Sequence, residues 1–413
     1  MAVSYKPKVI LVYVKIPDHL SSLSKLVELD LGENSLTGTI PAWIGNFSSL
    51  YVLRLPENNF QGSVPGGLGR LSRLGFFSLS VNNLSGTIPP QIYNISSIYI
   101  FSVADNQLHG SLPTDVGFTL PNLQRFFGSG NNFTGPIPES FSNASQLRAL
   151  DLDQNGLTGT VPQNLANLQG LHWLNLGHNS LGKGMDGDLS FLNFLANCTS
   201  LEFLALLCNN FGGVLPSSIA NLSTQLSTLA MGGNKIHGNV PTGIENLVNL
   251  YFLGLENNYL GGAIPSEVGN LVHLTKLDLS KNKISSKIPT TLETCISLEY
   301  LYLDGNSFEG VIPQTLKNLR GLEDIDLSHN KLSGHIPEFL SKLLALKHLN
   351  ISYNDFEGEV PSEGIFANAS AISIFGNEKL CGGVQELNLS QCSSKHPKFM
   401  AGLDGIEVMN SLD

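Results

Sequence analysis

Two glycine-rich stretches have the residue types to cradle a phosphate with backbone N–H groups. Gly182-Lys183-Gly184-Met185-Asp186-Gly187 spells GxGxxG, and Gly177 to Lys183 spells GxxxxGK. Such loops hold phosphate where a strand leads in and a helix leads out. No βαβ pattern surrounds these residues, and Gly184 stands where the second motif needs Ser or Thr. Nucleotide binding is not expected. The sequence contains no HExxH, no GxSxG, and no kinase catalytic-loop or DFG signature. Its ten histidines are scattered. The reading is a protein without catalytic residues, metal ligands or cofactor.

Five cysteines cannot all pair. Cys381 and Cys392 are expected to form a disulfide that staples the C-terminal end. Cys198 in NCTSLEFL and Cys295 in TCISLEYL occupy equivalent positions ahead of a Leu pair. That equivalence marks them as buried small hydrophobes. Cys208 stands beside Asn209 with no assigned role.

These residues must be positioned by a repeating element. An Asn recurs at 34, 58, 82, 106, 131, 155, 179, 209, 234, 258, 282, 306, 330 and 354, and ten of the thirteen intervals are 24 residues. The skeleton around it is LxLxxNxLxGxIPxxLxxLxxL. A fixed period of this length with Leu at these offsets specifies a leucine-rich-repeat solenoid. The fold class expected is α/β, a superhelix of about 14 repeats with a parallel β-sheet on its concave side. LxL is the strand, with Leu inward. The marker Asn bonds backbone groups of the turn and of neighbouring coils. Gly-x-Ile-Pro turns the chain, and the remaining Leu residues return it in short helical turns.

Three intervals are longer than the rest. Asn179 to Asn209 takes 30 residues, and the intervals ending at Asn131 and Asn234 take 25. The extra residues belong to the return segment, which tolerates insertion. Residues 1–15 do not carry the repeat, and their apolar run VILVYV is too short for a signal-peptide core. They read as an aberrant N-terminal segment without a standard cap, leaving Leu23, Leu26 and Leu29 at an apolar end unless the segment folds over it. Residues 16–361 form the solenoid, 362–392 a degenerate final repeat and cap with Ile372, Ile374 and Asn377, and 393–413 a disordered tail.

The formal charge of −11 argues against nucleic acid, which wants clustered Lys and Arg. No 18-residue apolar stretch exists, so no membrane span is expected. Ten N-x-S/T sequons, at Asn46, Asn83, Asn94, Asn132, Asn143, Asn197, Asn221, Asn350, Asn368 and Asn388, are candidate glycan acceptors of a secreted chain.

The concave sheet is the surface with something to offer. The slot before each strand's first Leu holds Phe76, Ile100, Arg125, Trp173, Phe203, Phe252, Lys276 and Tyr300 in successive parts of the chain, aimed at solvent. Tyr99, Phe127, Arg148 and Tyr302 lie next to that slot, as do Tyr51, His172 and Tyr251. Exposed aromatics with Arg have the composition of binding hot spots. The candidate ligand-binding residues are Phe76, Tyr99, Arg125, Phe127, Arg148, Trp173, Phe203, Phe252, Tyr300 and Tyr302. Asp278, Asp326 and Asn350 in the later strands follow the repeat consensus, so contact is expected to favour the middle of the chain.

LxGxIP is the plant-type form of the repeat. Residues 189–250, LSFLNFLANCTSLEFLALLCNNFGGVLPSSIANLSTQLSTLAMGGNKIHGNVPTGIENLVNL, resemble the extracellular region of plant leucine-rich-repeat receptor kinases. The subfamily resembled is the immune one that includes the EF-Tu and flagellin receptors and the rice bacterial-blight resistance kinase. The tail EGIFANASAISIFGNEKLCGG…LNLSQC is similar to their closing cap. The resemblance implies an ectodomain on the outer face of the plasma membrane that binds a peptide or protein ligand on its concave side. It also implies a short leucine-rich-repeat co-receptor kinase docking near the C-terminal coils. The chain departs from the pattern in lacking a paired-Cys N-cap, in having Asp188-Leu189 for Asp-Trp, and in lacking a transmembrane helix and kinase domain. The expectation is a receptor without its signalling half. The rival is a secreted repeat protein that inhibits a microbial enzyme, as polygalacturonase inhibitors do.

Overall fold

The computed structural model describes residues 3–5 and 14–392. One parallel sheet of sixteen strands runs the length of the molecule. Most of its strands are three residues, such as Val52–Arg54, Trp173–Asn175 and Tyr300–Tyr302. The middle residue points inward, and Leu53, Leu174 and Leu301 are fully buried. The outer two face solvent and stack in strict rows, with Trp173 opposite Phe203 and Lys276 opposite Tyr300.

Each coil then runs through a second extended segment before it turns. Asn59–Ser63, Gln107–Ser111 and Lys235–Asn239 are examples. These segments pair into lateral sheets of seven, three and five strands. The sequence reading treated this stretch as a turn and missed the sheets. Alternation explains them: Phe60 is buried while Asn59 and Gln61 are exposed, and the left-handed Gly62 (φ 78°) permits the bend that follows. The return segments are single 3₁₀ turns set after Pro, as in Ala42–Asn46 after Pro41. Only Val116–Thr119 and Leu192–Leu195 are α-helical, so the α component of the fold is minimal among the described residues.

The marker Asn does the joining. Asn282 Nδ2 donates to the carbonyls of Leu279 (3.1 Å) and Ser280 (3.1 Å) in its own coil and to Leu255 (2.9 Å) in the coil before. Its Oδ1 accepts from the Leu260 N–H at 3.0 Å. The pattern holds at Asn58 and again at Asn354. The residue before the Asn is left-handed in nearly every coil, whatever its type: Glu57, Val81, His178, Cys208 and Tyr353 all have φ between 45° and 54°. That strain is held in place by the ladder on either side.

The 30-residue repeat splits the lateral sheet between Ser180–Leu181 and Gly212–Val214. The concave register passes through it unbroken. At the N-terminal end, strand Val3–Tyr5 pairs with Leu26–Asp30, Ser4 opposite Glu28 and Tyr5 opposite Leu29. The 24-residue register thus continues where the Leu and Asn signature has stopped. Leu26 and Leu29 are buried and Leu23 is half-buried, so the end is not open. At the other end, Ile372–Ser373 closes the concave sheet, Asn377 carries the ladder, and Cys381 is bonded to Cys392. Cys198 and Cys295 are buried as small hydrophobes, their thiols pushed up to about 11 by burial. The tail 393–413, read as disordered, lies outside the described residues.

Replacing Asn282 with Ala would leave the Leu260 N–H without its acceptor and take one of two donors from each of three carbonyls, which keep Asn258, Asn306 and the Asn257 N–H. We expect Asn282→Ala to cost about 1–3 kcal/mol, seen as a lower urea midpoint. An exposed control, Asn270→Ala, should stay within about 0.5 kcal/mol.

Candidate functional site

The outward rows of the concave sheet gather most of the expected residues into three clusters. In the first, the Arg54 guanidinium lies 5.4 Å over the Phe76 ring, and Phe76 meets Tyr99 edge-on at 6.3 Å. Tyr51 and Tyr99 belong to coils two apart, yet their rings approach to 6.1 Å. Gly75 makes this possible, since a Cβ there would sit 2.7 Å from Tyr51 and 2.8 Å from Tyr99.

The second cluster is Trp173 stacked flat on Phe203, with centroids 3.7 Å apart and planes 4° from parallel. Such a pair adds about 0.5–1.5 kcal/mol beyond its buried area. The indole Nε1 is buried against the Asp151 carboxyl. Beside it, burial raises the Asp151 carboxyl, while donors including Asn175 and the indole pull it partly back. Arg125 and Arg148 are exposed and Phe127 is half-buried, N-terminal to the stack, and these three are not drawn into ring contact with it.

In the third cluster, Lys276 Nζ sits between two rings, 5.1 Å from Phe252 and 5.2 Å from Tyr302. Tyr300 is 6.5 Å from Tyr302 and donates to Glu323 at 3.3 Å. Between the second and third clusters the next row holds only Ala205, Ala230 and Gly254. The Glu256 carboxylate folds onto Gly232, and its buried Oε2 has no partner. Sequence reasoning left Arg54, Lys276, Asp151 and Glu256 out of the site. Their slots were visible in the repeat, but their ring and carboxylate contacts depend on side-chain direction.

The glycine-rich loop has its own anion. Asp188 Oδ2 accepts from the backbone N–H groups of Lys183 (2.8 Å), Gly184 (2.8 Å), Met185 (3.1 Å) and Gly212 (3.1 Å). Burial alone would raise this carboxyl, but the four donors outweigh it and hold it below the ordinary range. The nest a phosphate would need is therefore filled by the chain itself. No group of three or more His, Cys, Asp or Glu suited to a metal occurs among the described residues.

Nine of the ten sequon asparagines are exposed. Asn350 is the exception, half-buried on a concave strand with its amide donating to Asp326 at 2.9 Å. No helix among the described residues is long and apolar enough to cross a membrane.

The family model "Leucine-rich repeat region" matches residues 226–366, and "Leucine Rich Repeat" matches 25–47 and 146–168. The chain is 42% identical over 136 residues to the LRR receptor-like serine/threonine-protein kinase EFR of Arabidopsis thaliana, covering 33% of this chain and 13% of that protein. It is 45% identical over 86 residues to the receptor kinase-like protein Xa21 of Oryza sativa subsp. japonica, covering 21% of this chain and 8% of Xa21. Among solved structures it is similar to the Arabidopsis receptor kinase HAESA, crystallised with the peptide hormone IDA and the co-receptor SERK1. That match has a TM-score of 0.76 and 30% identity, and covers 89% of this chain and 64% of HAESA. The fold is a leucine-rich-repeat solenoid with an open concave sheet, similar to that of plant receptor ectodomains. Its relatives are plant receptor-like kinases, of whose length the chain spans a small part.

Acidic residues crowd the third cluster. Burial, and then repulsion from Asp326, push the Asp304 carboxyl up to about 6. A carboxyl raised on folding favours the folded state below its unfolded value near 4, and that advantage fades as pH climbs through 6. Asp304→Asn should therefore melt on the order of 1–2 °C higher than the parent at pH 7 and coincide with it below pH 4. Parallel melting curves across that range would overturn the assignment.

Proposed function

We propose that this chain is the ligand-binding ectodomain portion of a plant receptor-like kinase of the immune type, displayed outside the plasma membrane. It binds a peptide or protein ligand along the concave face and engages a short leucine-rich-repeat co-receptor near its C-terminal coils. The observation that carries the reading is the Trp173–Phe203 stack, solvent-facing and flanked by Arg125 and Arg148 on one side and the Phe252–Lys276–Tyr302 sandwich on the other. Rigid aromatics beside cations are the residues that dominate binding energy at interfaces. The HAESA complex, with its peptide hormone and co-receptor, supplies the analogy for the arrangement. Catalysis in such a receptor belongs to a kinase domain, and nothing on the concave face takes that role.

The test is affinity of the secreted chain for a short co-receptor ectodomain, with and without microbial extract. We expect extract-dependent binding, weakened at least tenfold by Trp173→Ala or Phe203→Ala, about 1.4 kcal/mol or more. Extract-dependent binding that ignores both substitutions would move the site off the stack. A folded chain that never binds co-receptor would favour the inhibitor reading.

A further inference from the structure

The flank that descends toward the concave sheet changes character partway along the chain. In five coils it carries a sequon in one slot: Asn46-Phe47-Ser48, Asn94-Ile95-Ser96, Asn143-Ala144-Ser145, Asn197-Cys198-Thr199 and Asn221-Leu222-Ser223. Beyond these the Asn persists at 246, 270 and 318, but the third residue becomes Val248, Val272 and Arg320. Thr294-Cys295-Ile296 and Lys342-Leu343-Leu344 complete the series. No sequon of any kind occurs from residue 224 to 349. At Val248 and Val272 one replacement both removes the sequon and installs an apolar side chain. Val248 is 48% exposed, Val272 41%, Ile296 68% and Leu344 98%. These are 24 residues apart and in line, broken only by Arg320. Apolar groups repeated in one solvent-facing slot, where most earlier coils use Ser or Thr, mark a contact surface.

The charges beside this ridge are arranged with opposite signs at its two ends. Glu245 and Glu293 lie toward the N-terminal end, each holding only a neutral amide, from Asn270 and Asn318. Exposed Lys317 and Arg320 lie toward the C-terminal end, followed by Lys342, which is paired with Glu338. A surface with this layout is complementary to itself when turned end for end. A two-fold axis between the coils of Ile296 and Arg320 sets Val272 opposite Leu344 of a second copy, Ile296 against the Arg320 stem, and Glu293 opposite Lys317. Two-fold contacts use one patch twice and require this kind of self-complementarity.

We propose that the sequon-free flank from Val272 to Leu344 is a self-association surface, and that its occupant is a second copy of this chain in antiparallel orientation. Neighbouring coils are ~4.8 Å apart, so the paired stretch runs only ~15 Å. Its area falls short of the ~800 Å² per partner of a durable dimer. The dimer is therefore weak, forming in the micromolar range and responsive to local concentration. This inference is independent of what the concave face binds.

Sedimentation velocity on the full chain, purified from a secretory host at about 1–200 µM, tests it. The expected result is a concentration-dependent monomer–dimer equilibrium, weakened about tenfold by Ile296→Glu. Val272→Ser rebuilds a sequon on Asn270 and should abolish the dimer, with Val272→Ser/Asn270→Gln recovering part of it. Glu293→Lys and Lys317→Glu should each weaken association, and the two together should restore it. All these positions but the half-buried Glu293 are exposed, and unchanged melting confirms folding. A chain that stays monomeric throughout overturns the proposal. So does a dimer indifferent to Ile296→Glu, a double reversal that fails to restore, or a ridge that binds the co-receptor and not a second copy.

Discussion

Everything in this molecule depends on a single buried amide per coil. The marker Asn uses both donors and its acceptor, tying its own turn to two backbone groups of the coil before. An isolated coil orders some two dozen residues at roughly 1–2 kcal/mol each in backbone entropy. Its few inward Leu residues recover about 1.5–3 kcal/mol apiece when buried. Neither face of a lone coil is covered, so no coil stands alone. Hydrophobic stacking supplies the energy, and the Asn supplies the direction. Without it the Leu faces could slide, and the rows that bring Trp173 over Phe203 would not exist.

That division of labour explains what the sequence made legible. Inward positions obey the period, so the solenoid, the concave sheet and the burial of Cys198 and Cys295 follow from spacing alone. The last strand at Ile372 and its ladder Asn377 could be read even from a degenerate repeat. The first strand, Val3–Tyr5, could not: it keeps the 24-residue register through backbone pairing while its side chains drop the signature. The lateral sheets were hidden behind Gly-x-Ile-Pro, because Gly and Pro announce a turn more loudly than a two-residue alternation announces a strand. Outward positions follow no period. Row membership of Phe76, Tyr99 and Trp173 was visible, whereas the meeting of Tyr51 and Tyr99 across Gly75 required knowing that a missing Cβ leaves the space.

Surfaces that the ladder leaves free have been put to different uses. The concave rows carry aromatics and cations toward the middle and carboxylates toward the C-terminal end, where burial, and then Asp326 and Asp278, raise the proton affinity of Asp304. Most exposed sequons lie on the return turns, with Asn83 and Asn132 on the lateral sheet, and the one concave sequon, Asn350, has its amide committed to Asp326. Glycans placed at the exposed sites would leave the concave sheet clear.

The longest repeat falls between the strands of Trp173 and Phe203, and this coincidence has a physical reading. Six extra residues lie in the return segment between two paired strands. Here the added loop folds around Asp188, whose carboxylate gathers four backbone N–H groups, one of them from Gly212 in the next lateral strand. The loop is thereby fastened at both ends, and the strands on its far side remain in register. The same residues that imitate a phosphate-binding loop thus hold a rigid corner. A binding surface whose largest aromatics are already stacked and fixed loses little side-chain freedom when a partner arrives, and that saving appears directly as affinity. The Asp188 knot, distant from the concave rows, is what lets the insertion coexist with a preorganised stack.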